Sequence, residues 1–314
     1  MCYSAQTWAA YRKYVKAWGA EIDMQEFLRL YGFRAEGAKV RTPKAMDAEF
    51  LRSTSPAGRA IAALIEAHDR EQVAALESGM FAQRKRLAEA ERTLAVKATK
   101  KALNDRRIAT GKISQSLARM ADIRRVEPRP KDSRIFPGSH VPVMVMEGGR
   151  RIVRPMRYQC RPAGKPASHD VRYPGTYNAR RDNLERFWKG QFGSSHGVIV
   201  VERFYENVER IDADGNPHNV VLEFSPQDGS AMIVACLWSR WTDPQGRQPD
   251  LLSFAAITDD PPPEIAAAGH DRCIIPIRPE NLDAWLQPDP ADLGALQTIL
   301  DDRARPLYEH RLAA

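Results

Sequence analysis

The most reactive chemistry in this sequence is at position 2, a cysteine next to the initiator methionine. Cysteine is small, so removal of Met1 leaves Cys2 as the mature N-terminus, with an α-amine and a thiol on adjacent carbons. An α-amine titrates at about 7.7–8.0, against about 10.4 for a lysine amine, so a useful fraction is neutral and nucleophilic at neutral pH. The thiol, at about 8.5 when unperturbed, falls further beside a cation. Such an aminothiol can condense with an aldehyde. The amine forms a Schiff base, and the thiolate then closes onto the imine carbon to give a thiazolidine ring. An internal cysteine lacks the amine and cannot do this. Position alone does not assign the function, because a chain can begin Met-Cys with nothing attached to it. Cys160, Cys236 and Cys273 form neither a Cys-x-x-Cys pair nor a zinc spacing, and read as reduced thiols. The histidines are scattered without ligand spacing, so no metal and no cofactor is expected.

Three polar clusters follow downstream: Gly175-Thr176-Tyr177-Asn178-Ala179-Arg180-Arg181-Asp182-Asn183, then Glu202-Arg203-Phe204-Tyr205-Glu206-Asn207, then Ala268-Gly269-His270-Asp271-Arg272-Cys273. Each sets functional groups at the end of a strand or on an adjoining loop, where sites tend to be built. Taken singly, Asn178 can merely shape a turn, Glu206 merely face solvent and His270 merely cap the next strand.

The elements that must hold these groups are legible in outline. Residues 1–55 read as short helices and turns. Trp8, Tyr11, Tyr14, Val15 and Trp18 recur at spacings of three and four, as the inner stripe of one helix does. Asp23-x-x-Glu26 resembles a capping box, with Gly32 near the stop. Pro56 opens a helix-favouring stretch running to about residue 108, Thr110-Gly111 reads as a turn, and residues 112–124 as a further helix. Beyond Pro130 the pattern changes to strands. Residues 141–146 and 151–156 flank Gly148-Gly149 as a hairpin. Further strands are predicted at 197–204, 219–224, 231–238, 252–258 and 273–277, with a turn at Asp214-Gly215-Asn216 and a stiff loop around Pro261-Pro262-Pro263. Helices are predicted at 279–286 and 290–300. Strands joined by short turns, with helices kept apart, make an α+β fold with a mainly antiparallel sheet or barrel and a long helical insertion. We expect one domain over 1–314, with the insertion at 55–128.

The chain has 314 residues, 43% hydrophobic and 28% charged, which suits a packed core and excludes collagen-like or fully disordered chains. The longest apolar runs, 141–146 and 232–238, are too short to cross a bilayer, and the N-terminus lacks a basic stretch followed by an apolar one. A membrane or secreted protein is not expected; a cytoplasmic location is. Net charge is +7. Residues 84–131 hold 15 Lys+Arg and 5 Asp+Glu, a net +10, so the remainder carries −3. Such asymmetry points to a polyanion partner or to a solvated helical face.

The motifs Cys2, Asn178-Ala179-Arg180, Phe204-Tyr205-Glu206 and His270-Asp271-Arg272, in that order, resemble the SRAP family (SOS response-associated peptidase, or abasic-site-processing proteins). Pro137-Gly138 is also similar to the family's segment ahead of its early strands. The resemblance covers residues 1–4 and 135–286; each motif is weak alone, and four in order are specific. It implies a DNA-repair protein with lyase-like and autopeptidase activity that captures abasic sites in single-stranded DNA covalently. In that reading Cys2 forms the crosslink, Asn178 positions the amine or sugar, Glu206 transfers protons, and His270 assists opening of the sugar. Arg180 and Arg272 bind flanking phosphates. The sequence departs from the family in carrying Tyr3 where glycine is common, Tyr158-Gln159-Cys160-Arg161-Pro162 where tryptophans often lie, and the helical insertion. Base stacking must therefore come from elsewhere. Two other classes use the same features: a cysteine peptidase or N-terminal-nucleophile hydrolase acting through Cys2 and His270, and a non-catalytic nucleic-acid-binding scaffold using the basic stretch alone.

Overall fold

A computed structural model describes residues 3–212, 214–246 and 248–313. The chain opens with β1 (Ser4–Thr7), α1 (Arg12–Trp18), β2 (Glu21–Ile22), α2 (Met24–Ala35) and α3 (Lys44–Leu51). Two long helices follow, α4 (Pro56–Val96) and α5 (Lys100–Arg124). Next come β3 (Arg134–Ile135), β4 (His140–Glu147), β5 (Arg150–Tyr158), α6 (His169–Arg172), β6 (Asn178–Arg180), β7 (His196–Ile211), β8 (Pro217–Pro226), β9 (Met232–Trp241) and β10 (Leu251–Asp259). The chain ends with α7 (Pro263–Ala267), β11 (Cys273–Ile274), α8 (Leu282–Leu286), α9 (Leu293–Asp301) and β12 (Tyr308–Leu312).

The expected α+β architecture is present, and the sheet closes. β5 pairs with β4, β4 with β7, β7 with β9 and β9 with β10, all antiparallel; β10 then returns to β5 in parallel. Alternate residues of these strands enter two different cores. Val141, Val143, Val145, Ile199, Val201, Val234, Cys236, Phe254 and Ala256 share one cluster, which fills the ring. Met144, Val198, Val200, Ala235, Leu237, Ala255 and Ile257 share another with Tyr14, Phe27, Phe50, Trp285 and Leu300 of the surrounding helices. Period-two alternation with both faces apolar is what a barrel wrapped in helices requires. The β4–β5 hairpin turns on Gly148 (φ +56°) and Gly149 (φ +75°), a pair of left-handed residues that matches strand twist.

Several sequence expectations need correction. Residues 4–7 are a strand, added antiparallel to β7, although Ser-Ala-Gln-Thr has no apolar alternation to announce it. Val15 faces solvent, whereas Tyr14 is fully buried and its hydroxyl contacts Pro142 O and Val200 N. Asp23 does cap α2, accepting from Glu26 N at 3.1 Å, but Gly32 lies inside that helix. The turn between the long helices is at residues 97–99, not at Thr110-Gly111. Thr99 caps α5 through Ala102 N at 3.2 Å, and Gly111 is carried within α5 by its packing on α4. α7 and the last strand, β12 on β8, also escaped the sequence pattern.

α4 from Gln72 onward and α5 form an antiparallel arm, pinned by Gln72–Arg119, Glu77–Arg124 and Arg86–Asp105. Its base is braced. Lys44 Nζ donates to the carbonyls of Asp122 and Ile123, and Arg125 grips Asp132 through two nitrogens at 2.9 and 2.6 Å. The chain then enters β3, which pairs with β1. No helix among the described residues is long and apolar enough to cross a membrane.

Candidate functional site

Glu206 sits in the second half of β7, on the same face as Phe204 and Val208, and is completely buried. A carboxylate on that apolar face is costly unless paired. The pairing comes from His270, whose Nε2 lies 3.1 Å from Glu206 Oε2. His270 reaches it from the turn after α7, where Gly269 adopts φ +95° and a Cβ would stand 2.9 Å from Val208 Cγ1. Glycine is needed twice over, for the dihedral and for the contact with β7.

Burial holds the His270 imidazole below its ordinary pKa, so the ring is neutral at neutral pH and carries one ring proton. Its Nδ1 lies 2.9 Å from Arg272 O and accepts from Arg272 N at 3.3 Å in the other tautomer. The backbone of Arg272 thus satisfies either tautomer. His270 Nε2 then faces Glu206 Oε2 at 3.1 Å. The pair is a buried contact between a carboxyl and an imidazole.

Asn178 starts β6, which runs parallel to the end of β10. β11, just past His270, pairs with the same stretch of β10. The end of β10 therefore holds the asparagine and histidine segments together. Thr258 Oγ1 on β10 donates to Asn178 Oδ1, which fixes the orientation of the amide. Asn178 Nδ2 is then a buried donor with no hydrogen-bond partner among the described residues. An unsatisfied buried donor costs about 1–3 kcal/mol, which an incoming acceptor recovers.

Cys2 lies outside the described residues. The residues after it are placed beside these groups. Ser4 is in register with Tyr205, next to Glu206, and Tyr3 packs edge-on against Tyr177, next to Asn178, with centroids 6.2 Å apart. Arg134 of β3 donates to Ser4 Oγ at 3.0 Å and stacks 3.6 Å over the Tyr205 ring. Burial pushes the Cys160 and Cys273 thiols up to about 12 and Cys236 higher, so none of these three is an available nucleophile.

Arg180 and Arg272 are joined through one carboxylate. Arg180 is forked onto Asp182, with Nε at 3.1 Å. Arg272 Nη2 stands 3.9 Å from Asp182 and its Nη1 3.7 Å from Asp260. Asp182 thus holds Arg180 closely and lies at the edge of ion-pair distance from Arg272. Sequence reasoning missed Asp182, Thr258 and Arg134. It also missed an exposed aromatic pair, Tyr3 (46% exposed) and Phe136 (39%), with centroids 5.8 Å apart. Phe136 stands directly before Pro137-Gly138, the one local signal that could have found it. No group of three or more His, Cys, Asp or Glu among the described residues could hold a metal.

A strand-closed barrel thus places a buried acid–imidazole pair and a buried amide donor beside the start of β1. The family described as SOS response associated peptidase (SRAP) matches residues 94–311, more than half of the sequence. The chain belongs to this family of DNA-damage-associated, peptidase-like proteins. Among solved structures, a Bordetella bronchiseptica protein is 17% identical, covering 58% of this chain and 87% of its own, with a TM-score of 0.45. A Bacteroides thetaiotaomicron protein is 14% identical over 58% of this chain and 78% of its own, TM-score 0.45. A phage-related protein from Bordetella bronchiseptica is 19% identical over 58% and 81%, TM-score 0.43. A comparison with curated proteins finds no match.

Proposed function

We propose that this protein captures abasic sites in single-stranded DNA covalently through Cys2, with Met1 removed so that the α-amine is free. The carrying observation is the convergence of the Glu206–His270 pair and the Asn178 amide on the first described residues of the chain. The ring-opened sugar supplies an aldehyde. The Cys2 amine adds to it, giving a carbinolamine, and loss of water leaves an imine. The thiolate then adds to the imine carbon while the nitrogen takes a proton, closing the thiazolidine. One water is released overall.

The first step moves protons from nitrogen to oxygen and the second brings the thiol proton to nitrogen, transfers that the Glu206–His270 pair can relay. Asn178 Nδ2 donates to the sugar oxygen or to the nitrogen lone pair, holding the reacting atoms together. Arg180 and Arg272 exchange Asp182 for phosphates flanking the lesion. Release of residues preceding Cys2 by the same groups would account for the peptidase-like character of the family.

The test is a denaturing gel of protein incubated with single-stranded DNA carrying one abasic site. A slow band that survives denaturation without borohydride is expected, and Cys2→Ala should abolish it. Cys2→Ser keeps the amine, so an imine trappable by borohydride should remain. Peptide turnover with no DNA adduct would favour a hydrolase, and shifts reversed by salt alone would favour a scaffold. Intact mass is a faster check, since retained Met1 blocks the chemistry.

A further inference from the structure

The α4–α5 arm is not needed to build the barrel, and its surface chemistry is unlike that of the rest of the chain. From the turn at residues 97–99 down α5 stand Lys97, Lys100, Lys101, Arg106, Arg107 and Lys112, all exposed. Among the described residues none of the six has a carboxylate within ion-pair distance, and Asp105, the carboxylate nearest them in sequence, is taken by Arg86. Uncompensated like charges on a thin two-helix arm repel one another, and only Met80, Ala90, Ala102, Ala109 and Met120 are buried along it to oppose that. A polyanion removes the repulsion.

We propose that this arm is a docking surface for double-stranded DNA, engaging the phosphate backbone. Three observations select the duplex. At about 1.5 Å per residue, Lys100 to Lys112 covers about 18 Å, the axial length of about five base pairs. The array is rigid: Ser55 and Thr99 cap the helices, and Arg125–Asp132 with Lys44 clamp the base. A fixed set of exposed cations suits a fixed lattice of phosphates. Phe81 is the single aromatic residue between positions 51 and 135, whereas binding of a single strand relies on successive stacking platforms. The arm also returns into β3, where Arg134 touches Ser4, so a duplex held along it leads towards the barrel site.

The experiment uses the full chain and an undamaged 20-base-pair duplex, with binding read by fluorescence anisotropy between 50 and 200 mM salt. The variant carries Lys100→Gln, Lys101→Gln, Arg106→Gln and Arg107→Gln. Each cation withdrawn from a phosphate should reduce the slope of log K against log salt by about 0.9, up to about 3.6 for four. Affinity at 50 mM salt should fall at least tenfold, with a melting temperature no lower than that of the wild type, since the mutual repulsion is relieved. Equal duplex affinity and slope in the variant overturn the proposal, and so does a loss confined to single-stranded DNA. The measurement needs no lesion, so it is separate from the capture chemistry. A wild-type chain that forms no abasic crosslink refutes that chemistry and leaves the duplex result standing. Conversely, the variant should crosslink a short single-stranded abasic oligonucleotide like the wild type.

Discussion

Glu206→Gln isolates the proton-transfer role of the buried pair. Glutamine has nearly the same volume, so its side chain stays beside His270 Nε2, which lies 3.1 Å from Oε2 in the native pair, while the proton acceptor is removed. The fold should lose no more than about 1 kcal/mol, since a neutral amide replaces a fully buried carboxyl. The chemistry should suffer far more. A positioned acid or base contributes about 10²–10⁴-fold. Glu206 is fully buried, so no solvent molecule substitutes readily, and a loss of about 10³-fold is expected, or about 4 kcal/mol of barrier. The assay is single-turnover capture with protein in excess over abasic single-stranded DNA, followed on denaturing gels. A thermal melt is run in parallel to show that the variant is folded. A folded Glu206→Gln protein whose capture rate stays within threefold of wild type would refute the assignment of proton transfer to this pair.

Three further outcomes are expected. Stability should fall as pH drops from 6.5 to 4.5, because His140 and His196 are buried neutral with pKa values lowered to about 3, so the unfolded chain binds more protons in this window. At about 1.4 kcal/mol per group per pH unit, the two cost about 5 kcal/mol together; a melting temperature flat across that range would contradict the buried neutral state. Asp182→Asn frees Arg180 and leaves Arg272 only its exposed partner Asp260, and non-covalent affinity for single-stranded DNA at low salt should rise by about threefold to tenfold in a filter-binding or anisotropy titration. Unchanged affinity would mean that these arginines do not reach phosphate. Phe136→Ala removes half of the exposed aromatic pair and should weaken single-strand binding about fivefold or more, while duplex binding stays constant; equal loss on both would assign Phe136 a structural role.

Much of this molecule is local and therefore legible from sequence. Gly148-Gly149 between alternating apolar residues specifies a hairpin through its own dihedrals. Asp23 three residues before Glu26 caps α2 with no help from the rest of the chain. The apolar runs around 197–204, 231–238 and 252–258 are strands because both of their faces are buried. The ordered motifs Asn178, Glu206 and His270 were visible as residue types at strand ends, and the charge of the arm could be counted directly.

What tertiary structure decided involves groups distant in sequence. β1 is a strand because the edge of β7 offers unpaired backbone groups to it, not because Ser-Ala-Gln-Thr prefers that conformation. The arm turns at residues 97–99 because Thr99 supplies a cap there and packing against α4 carries α5 through Gly111. Glu206 and His270 meet only because Gly269 lets one turn press against Val208 of another strand. Asn178 becomes a directed donor only because Thr258, 80 residues away, occupies its carbonyl. Dihedral preference and alternation act over a few residues, so they can specify elements. Which buried polar groups meet is set by the closure of the barrel, and no local pattern encodes that.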